Sequence, residues 1–231
     1  MSENRVFTDE ELKEMGRYTL DVLLEAIDAG DKEQAKKLAN RLYKEFQSMH
    51  DLYMNWSAAL ESHIYNNHGV DELYTAVKWA VSAGMQQFRE EYDKADFRRR
   101  VKMLAAGLKG HLQPLELKED DDKVCIKMKP CGSGERLFKS GGYDPPRNFA
   151  MIKESHPLTY GETDFPIYCC HAPLQELIWM EWLGYPVFVS YPVQKMGRDA
   201  CWYCIYKDPE KIPEETYRRL GKEKPKAKKS G

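Results

Sequence analysis

All six cysteines of this 231-residue chain fall between Cys125 and Cys204, so chemistry that depends on a thiol belongs to its C-terminal half. Three clusters carry it. In Pro130 to Leu137, PCGSGERL, a cysteine precedes Gly-Ser-Gly at the end of a candidate strand. Glycine-rich backbone there leaves amides able to bind an anion, so Cys131 is a candidate nucleophile and Arg136 a candidate clamp for a substrate carboxylate. The plain alternative is a flexible turn holding one buried cysteine.

The second cluster is Tyr168-Cys169-Cys170-His171. Thiolate and imidazole are the preferred donors for zinc and also serve iron. Neighbouring cysteines do not easily bind one ion together. Cys169 and His171 would share a side of an extended backbone, which leaves Cys170 as the spare. A position at a helix start would also lower a thiol pKa. Against this stands the ordinary behaviour of cysteine as a small core residue.

The third cluster, Cys201-Trp202-Tyr203-Cys204, has the C-x-x-C form. On a strand the two cysteines face opposite sides, so a chelate or dithiol between them is disfavoured and Cys201 is preferred for the site. His156, in the irregular stretch ESHPLTYGE, could be a movable general base, whereas His50, His63 and His68 lie in helical sequence. Glu176 and Glu181 interrupt the apolar run LQELIWMEWL and are either its wet edge, the preferred reading, or buried functional acids.

The elements that must position these residues follow from periodicity. Residues 8 to 108 read as helices. Thr8 with Glu11 forms a capping box, and apolar residues from Leu12 to Ile27 recur at helical spacing up to Gly30. A second helix runs from Asp31 to the break at Asn66 to Gly69, a third over about 71–92, and a fourth over about 96–108. After Gly110 come strands at Leu115 to Leu117 and Val124 to Met128 around an acidic turn, with Cys125 on a lysine-bearing face. Residues 130–166 have many glycines and prolines and little periodicity, as binding loops do. Pro173 fits the first turn of a helix ending at Gly184. Strands at 186–193 and 200–206 flank the turn KMGRD, and a short helix covers about 213–220. The expected class is α+β: an N-terminal helical region, 1–110, packed on a C-terminal antiparallel sheet with a helix, 111–220. The basic segment 221–231 is expected to be disordered.

The stretch from Cys169 to about Pro209, with its cysteine-bearing helix start and the turn Gly197-Arg198-Asp199-Ala200-Cys201-Trp202-Tyr203, resembles two related groups. These are the L-2-amino-thiazoline-4-carboxylic acid hydrolase-like family and the ligand-binding domains named after 4-vinyl reductase. The resemblance spans about 110–208 and implies an α+β fold with a small-molecule cavity over the sheet and Cys201 near it. Pro192 and Gln194 stand where vinyl-reductase-type sequences commonly have acidic and cysteine residues.

Composition excludes several partners. Net charge is −2, and removing the tail's five lysines and one glutamate leaves 30 basic against 36 acidic side chains, a poor match for a phosphate backbone. No apolar run approaches the roughly 20 residues of a membrane span, and the N-terminus has no signal-peptide core, so the expectation is a cytoplasmic protein with reduced thiols. The leading functional expectation is an enzyme that uses zinc or iron, held by Cys169, His171 and Cys131 or Cys201, to act on a small anionic organic substrate. Hydrolysis of a C–N or C–S bond is the first reaction class, with His156 shuttling a proton. The alternatives are a cysteine-nucleophile hydrolase without metal, with Cys131 attacking, and a ligand-binding or sensor domain with a structural metal. Aromatic-rich N-terminal helices could also form a homodimer surface.

Overall fold

The computed structural model describes residues 6–193 and 200–226. The expected turn KMGRD, the Gly197-Arg198-Asp199 part of the resemblance motif, and the end of the tail from Ala227 lie outside the described residues.

The chain divides into two compact units, Met1–Leu52 and Tyr53–Gly231, so residues 53–110 of the expected helical region belong with the sheet. In the first unit, α1 (Asp9–Met15) carries the expected capping box: Thr8 Oγ1 accepts from the Glu11 amide at 3.1 Å, and Glu11 accepts from the Thr8 amide at 2.7 Å. The apolar periodicity from Leu12 to Ile27 is two helices rather than one. It breaks at Gly16, which closes α1, and resumes as α2 (Thr19–Asp28) behind an extended Tyr18. Thr19 Oγ1 donates to Glu45 Oε1 at 2.9 Å, tying α2 to the first half of α3 (Lys32–His68). The unit leaves Leu24, Ile27, Phe46, Met49 and Leu52 exposed.

The second unit begins within α3. Gly69, at φ 84°, separates α3 from α4 (Val70–Lys94), a left-handed conformation that favours glycine and accounts for the Asn-Asn-His-Gly break. Asp96 caps α5 (Phe97–Lys109) by accepting from the Arg99 amide at 2.7 Å. The strands β1 (Leu115–Glu119) and β2 (Lys123–Met128) follow, then α6 (Gly134–Lys139), β3 (Met151–Ile152), β4 (Phe165–Pro166), α7 (His171–Leu183), β5 (Val189–Tyr191), β6 (Trp202–Tyr206) and α8 (Glu214–Arg218). The main sheet is antiparallel in the order β1-β2-β6-β5, with β3 and β4 forming a separate pair. The class is α+β, as the sequence implies. The irregular stretch 130–166 therefore contains one helix, one strand pair and a short 3₁₀ turn at Pro157–Thr159.

Side-chain alternation in β2 and β6 gives the sheet two unlike faces. Val124, Ile126, Met128 and Ile205 are buried in one core with Leu104 and Leu108 of α5 and Trp179 of α7. α7 is buried over most of its length, with Leu174, Leu177 and Ile178 packed in a second core beside Leu73 and Val77 of α4. Gly184, at φ 83°, ends it as a left-handed cap.

Burial of most of α7 overturns the expectation for one of its two acids. Glu181 is a wet edge, paired with Lys78 at 2.8 Å. Glu176 is fully buried: it accepts from the Tyr160 hydroxyl at 2.9 Å, the Ser190 amide at 2.8 Å and Arg219 Nη2 at 2.7 Å. This joins α7, β5 and the residue after α8. Burial lifts the Glu176 carboxyl above its usual range, against the lowering effect of Arg219 and of the Ser190 amide. The start of the tail is also engaged, since Lys224 Nζ donates to the Glu210 carbonyl at 2.6 Å.

Candidate functional site

Four separate stretches of chain converge on one small cavity at the inner face of the sheet. It is lined by His111, Met128, Cys131, Ser133, Gly134, Tyr168, Cys169, His171, Ala172, Cys201 and Tyr203, and its volume is about 30 Å³. A water needs roughly 10–15 Å³ by the same kind of measure, so the cavity takes a water or a single ion and not an organic molecule. Cys131, Cys169, His171 and Cys201, the four residues expected to bind metal, all line it.

Each is placed by its local structure. Cys201 precedes β6 and shares the inward side with Tyr203, while Cys204 faces the other way, as strand alternation requires, and is bonded there to Cys125, so the expectation of reduced thiols fails for this pair. Cys169 lies in a 3₁₀ turn, Ile167–Cys170, that runs directly into α7. Both Cys169 and His171 reach the cavity, from a helical rather than an extended backbone. Cys170 is buried in the core with Leu174 and Leu177 and does not line the cavity. Cys131 is only half-buried, against full burial of Cys169 and Cys201.

Gly132 is required by close approach. A Cβ there would stand 2.2 Å from the carbonyl oxygen of His111, a contact no side chain tolerates. The glycine thus lets the Cys131 loop press onto the segment after α5 and brings His111 into the site. His111 Nδ1 lies 2.6 Å from Ser133 Oγ.

The electrostatics are those of a dry site. His171 donates its Nδ1–H to the Tyr168 carbonyl, an atom that can only accept, so the lone pair is on Nε2. Burial depresses the His171 pKa, against the raising effect of that hydrogen bond, and favours the neutral ring. Burial pushes the Cys169 thiol well up, and the nearby Cys131 and Cys201 add to the rise. Cys170 is likewise pushed up by burial. The expected lowering at the helix start is overturned, because desolvation outweighs it. Tyr168, which hydrogen-bonds with the Ser133 side chain, and Tyr203 are both raised by burial.

The remaining expected residues lie elsewhere. The Cys131 amide is not open for an anion: it donates to Glu135 Oε2 at 3.0 Å, and Glu135 pairs with Lys139. Arg136 does not line the cavity, and its Nη2 donates to the His111 carbonyl at 3.3 Å. His156 is absent from the lining as well. Its Nδ1 accepts from the Leu158 amide at 3.0 Å as the cap of the 3₁₀ turn, and its Nε2 stands 3.6 Å from Asp71. Burial lowers its pKa, against the raising influence of Asp71 and Glu154.

Sequence reasoning missed His111, Ser133 and Tyr168 as neighbours of the thiols. Their signal was weak: a histidine just past a helix-ending glycine, a serine two residues after Cys131 and a tyrosine next to Cys169. It also missed Glu61 on α3. Glu61 Oε2 is buried without a hydrogen-bond partner, and burial raises its carboxyl well above the usual range near Cys169, Cys170 and Tyr168.

The donor chemistry suits zinc or iron. Spacing is less favourable: among the described residues, no three His, Cys, Asp or Glu side chains are grouped as a metal-holding set. No helix among the described residues is long and apolar enough to cross a membrane. In comparisons with known proteins, no family model, no curated protein and no solved structure matches this chain.

Proposed function

We propose that this protein is a metal-dependent enzyme whose cavity takes one zinc or iron ion on Cys169, His171, Cys201 and Cys131. Its substrate class would be small anionic organic molecules, with hydrolysis of a C–N or C–S bond the first reaction to test. The observation that carries the reading is the convergence of these four side chains on a space large enough for one ion or water. The His171 tautomer supports it, because metal-bound histidines characteristically donate their other nitrogen to a backbone carbonyl or carboxylate. Binding would draw the side chains inward and release the thiol protons of buried Cys169 and Cys201.

When bound, such an ion supplies Lewis acidity. The other roles belong to the chain. His171 presents Nε2, Tyr203 and Met128 line the cavity from the sheet, and the Tyr168–Ser133–His111 series holds a proton beside it. An organic substrate would meet the site only at its mouth, near half-exposed Cys131.

The test is metal analysis of the purified full chain. About one equivalent of zinc or iron is expected, with loss in Cys169→Ala and His171→Ala. A protein that is isolated metal-free and takes up neither ion on addition would overturn the reading. The exposure of Cys131 favours one second reading, a metal-free thiol nucleophile. Selective alkylation of Cys131 with loss of function in such a metal-free protein would establish it.

The exposed Leu24, Ile27, Phe46 and Met49 of the first unit support a homodimer through the N-terminal helices. Sedimentation of the full chain should then give twice the monomer mass, and a monomer at all concentrations would refute this.

A further inference from the structure

On the sheet face opposite the cavity, Cys125 of β2 and Cys204 of β6 are directly paired in register and joined as a disulfide, with Cα atoms 4.0 Å apart. The bond lies at the floor of an open groove of about 590 Å³ lined by Lys118, Glu119, Asp120, Lys123, Tyr191 and Trp202. That volume is within the roughly 300–1,000 Å³ range of small-molecule sites. Its wall is aromatic and basic: Lys118 Nζ is 4.8 Å from the Trp202 ring centroid. Beyond the lining, Lys127 places its Nζ 5.7 Å from the same ring and Tyr206 has its ring centroid 5.3 Å from Lys123 Nζ. The two sulfurs are not equivalent. Cys125 is half-buried, whereas Cys204 is almost wholly enclosed between β2 and β5.

We propose that Cys125–Cys204 is a thiol–disulfide exchange site, with a low-molecular-weight peptide thiol as co-reactant in the groove. The co-reactant's thiolate attacks the accessible Cys125 sulfur, forming a mixed disulfide there and releasing the Cys204 thiolate, which then takes a proton. A second small thiolate attacks the sulfur of the bound co-reactant. This releases the oxidised co-reactant and leaves Cys125 as a thiolate. Two electrons pass from two small thiols to the protein disulfide. In reverse, Cys204 is the resolving thiol that expels the co-reactant from Cys125. Lys118 and Lys123 on this face pair with Glu116 at 2.9 Å and Asp120 at 3.7 Å; they would favour thiolate at Cys125 and exchange those partners for the carboxylates of a peptide thiol. Glu119 and Asp120 at the groove's end limit that attraction to one side.

Glutathione is the probe. The full chain is treated with reduced or oxidised glutathione, quenched in acid, and mapped by peptide mass spectrometry. Reduced glutathione should open Cys125–Cys204 in the native protein, and oxidised glutathione should close it again. Cys204→Ser should trap the adduct on Cys125, on the order of tenfold above the adduct on Cys204 in Cys125→Ser. If either variant fails to fold, differential alkylation of the wild-type chain during the same titration reads the same pair. A bond that native conditions leave untouched, a pair that oxidised glutathione never closes, or adducts confined to Cys131 would each overturn the proposal.

Discussion

The two faces of one four-stranded sheet hold cysteine in opposite circumstances. On the inner face, Cys131, Cys169 and Cys201 surround a small space of about 30 Å³ with His111 and His171, and burial keeps the Cys169 thiol protonated. On the outer face, Cys125 and Cys204 are already bonded, under a groove nearly twenty times larger. The difference teaches that environment, not residue type, decides what a thiol can do. The enclosed Cys169 thiol is held in its protonated form, whereas a disulfide at the floor of an open, lysine-bearing groove can meet dissolved thiols.

The sharpest way to break the comparison is to loosen the inner side. Arg219→Met leaves Glu176 buried without its counter-charge, and the denaturant midpoint should report a loss of about 3–5 kcal/mol. An unchanged midpoint would mean that the pair does not hold α7 against β5. On the outer side, the Cys125→Ala/Cys204→Ala variant should lose about 2–4 kcal/mol, since the bond closes a long loop across 79 residues. If that variant also changed the reactivity of Cys131, the two faces would not be independent.

A smaller effect probes the cavity wall. Gly132→Ala forces its new methyl group onto the His111 carbonyl, so a cost of about 1–3 kcal/mol is expected, with faster alkylation of Cys169 as the wall opens. The smallest concerns His156, which belongs to neither face. His156→Ala removes the cap on the Leu158 amide and should cost about 1 kcal/mol by chemical denaturation. The sign of its pH dependence follows from its depressed pKa. Stability from His156 is fully present above the unfolded value of about 6.5. It is lost as pH falls through the folded value, because the unfolded chain takes the proton first. His156→Asn, which can still cap, should flatten that acid-side slope while keeping most of the stability at pH 7.

How much of this was legible depends on range along the chain. Capping at Thr8, the Gly69 break and the Gly184 stop are local backbone preferences, and each stands where the residues imply. The split of α1 from α2 was not legible, because apolar periodicity runs straight through Gly16. Glu176 was misread because a carboxylate in an apolar helix reads as an edge until its partner is seen, and Arg219 lies 43 residues away.

By itself, then, the sequence determined the α+β class, the inward Cys201 and outward Cys204, and the thiol and imidazole donors of the C-terminal half. Those follow from alternation and composition, which act between near neighbours. Only the tertiary structure decided that Cys125 meets Cys204, that His111 and Ser133 join the inner site, and that His156 and Arg136 do not line it. Strand register and loop packing set those outcomes, and both are fixed by cores assembled from segments far apart in the chain.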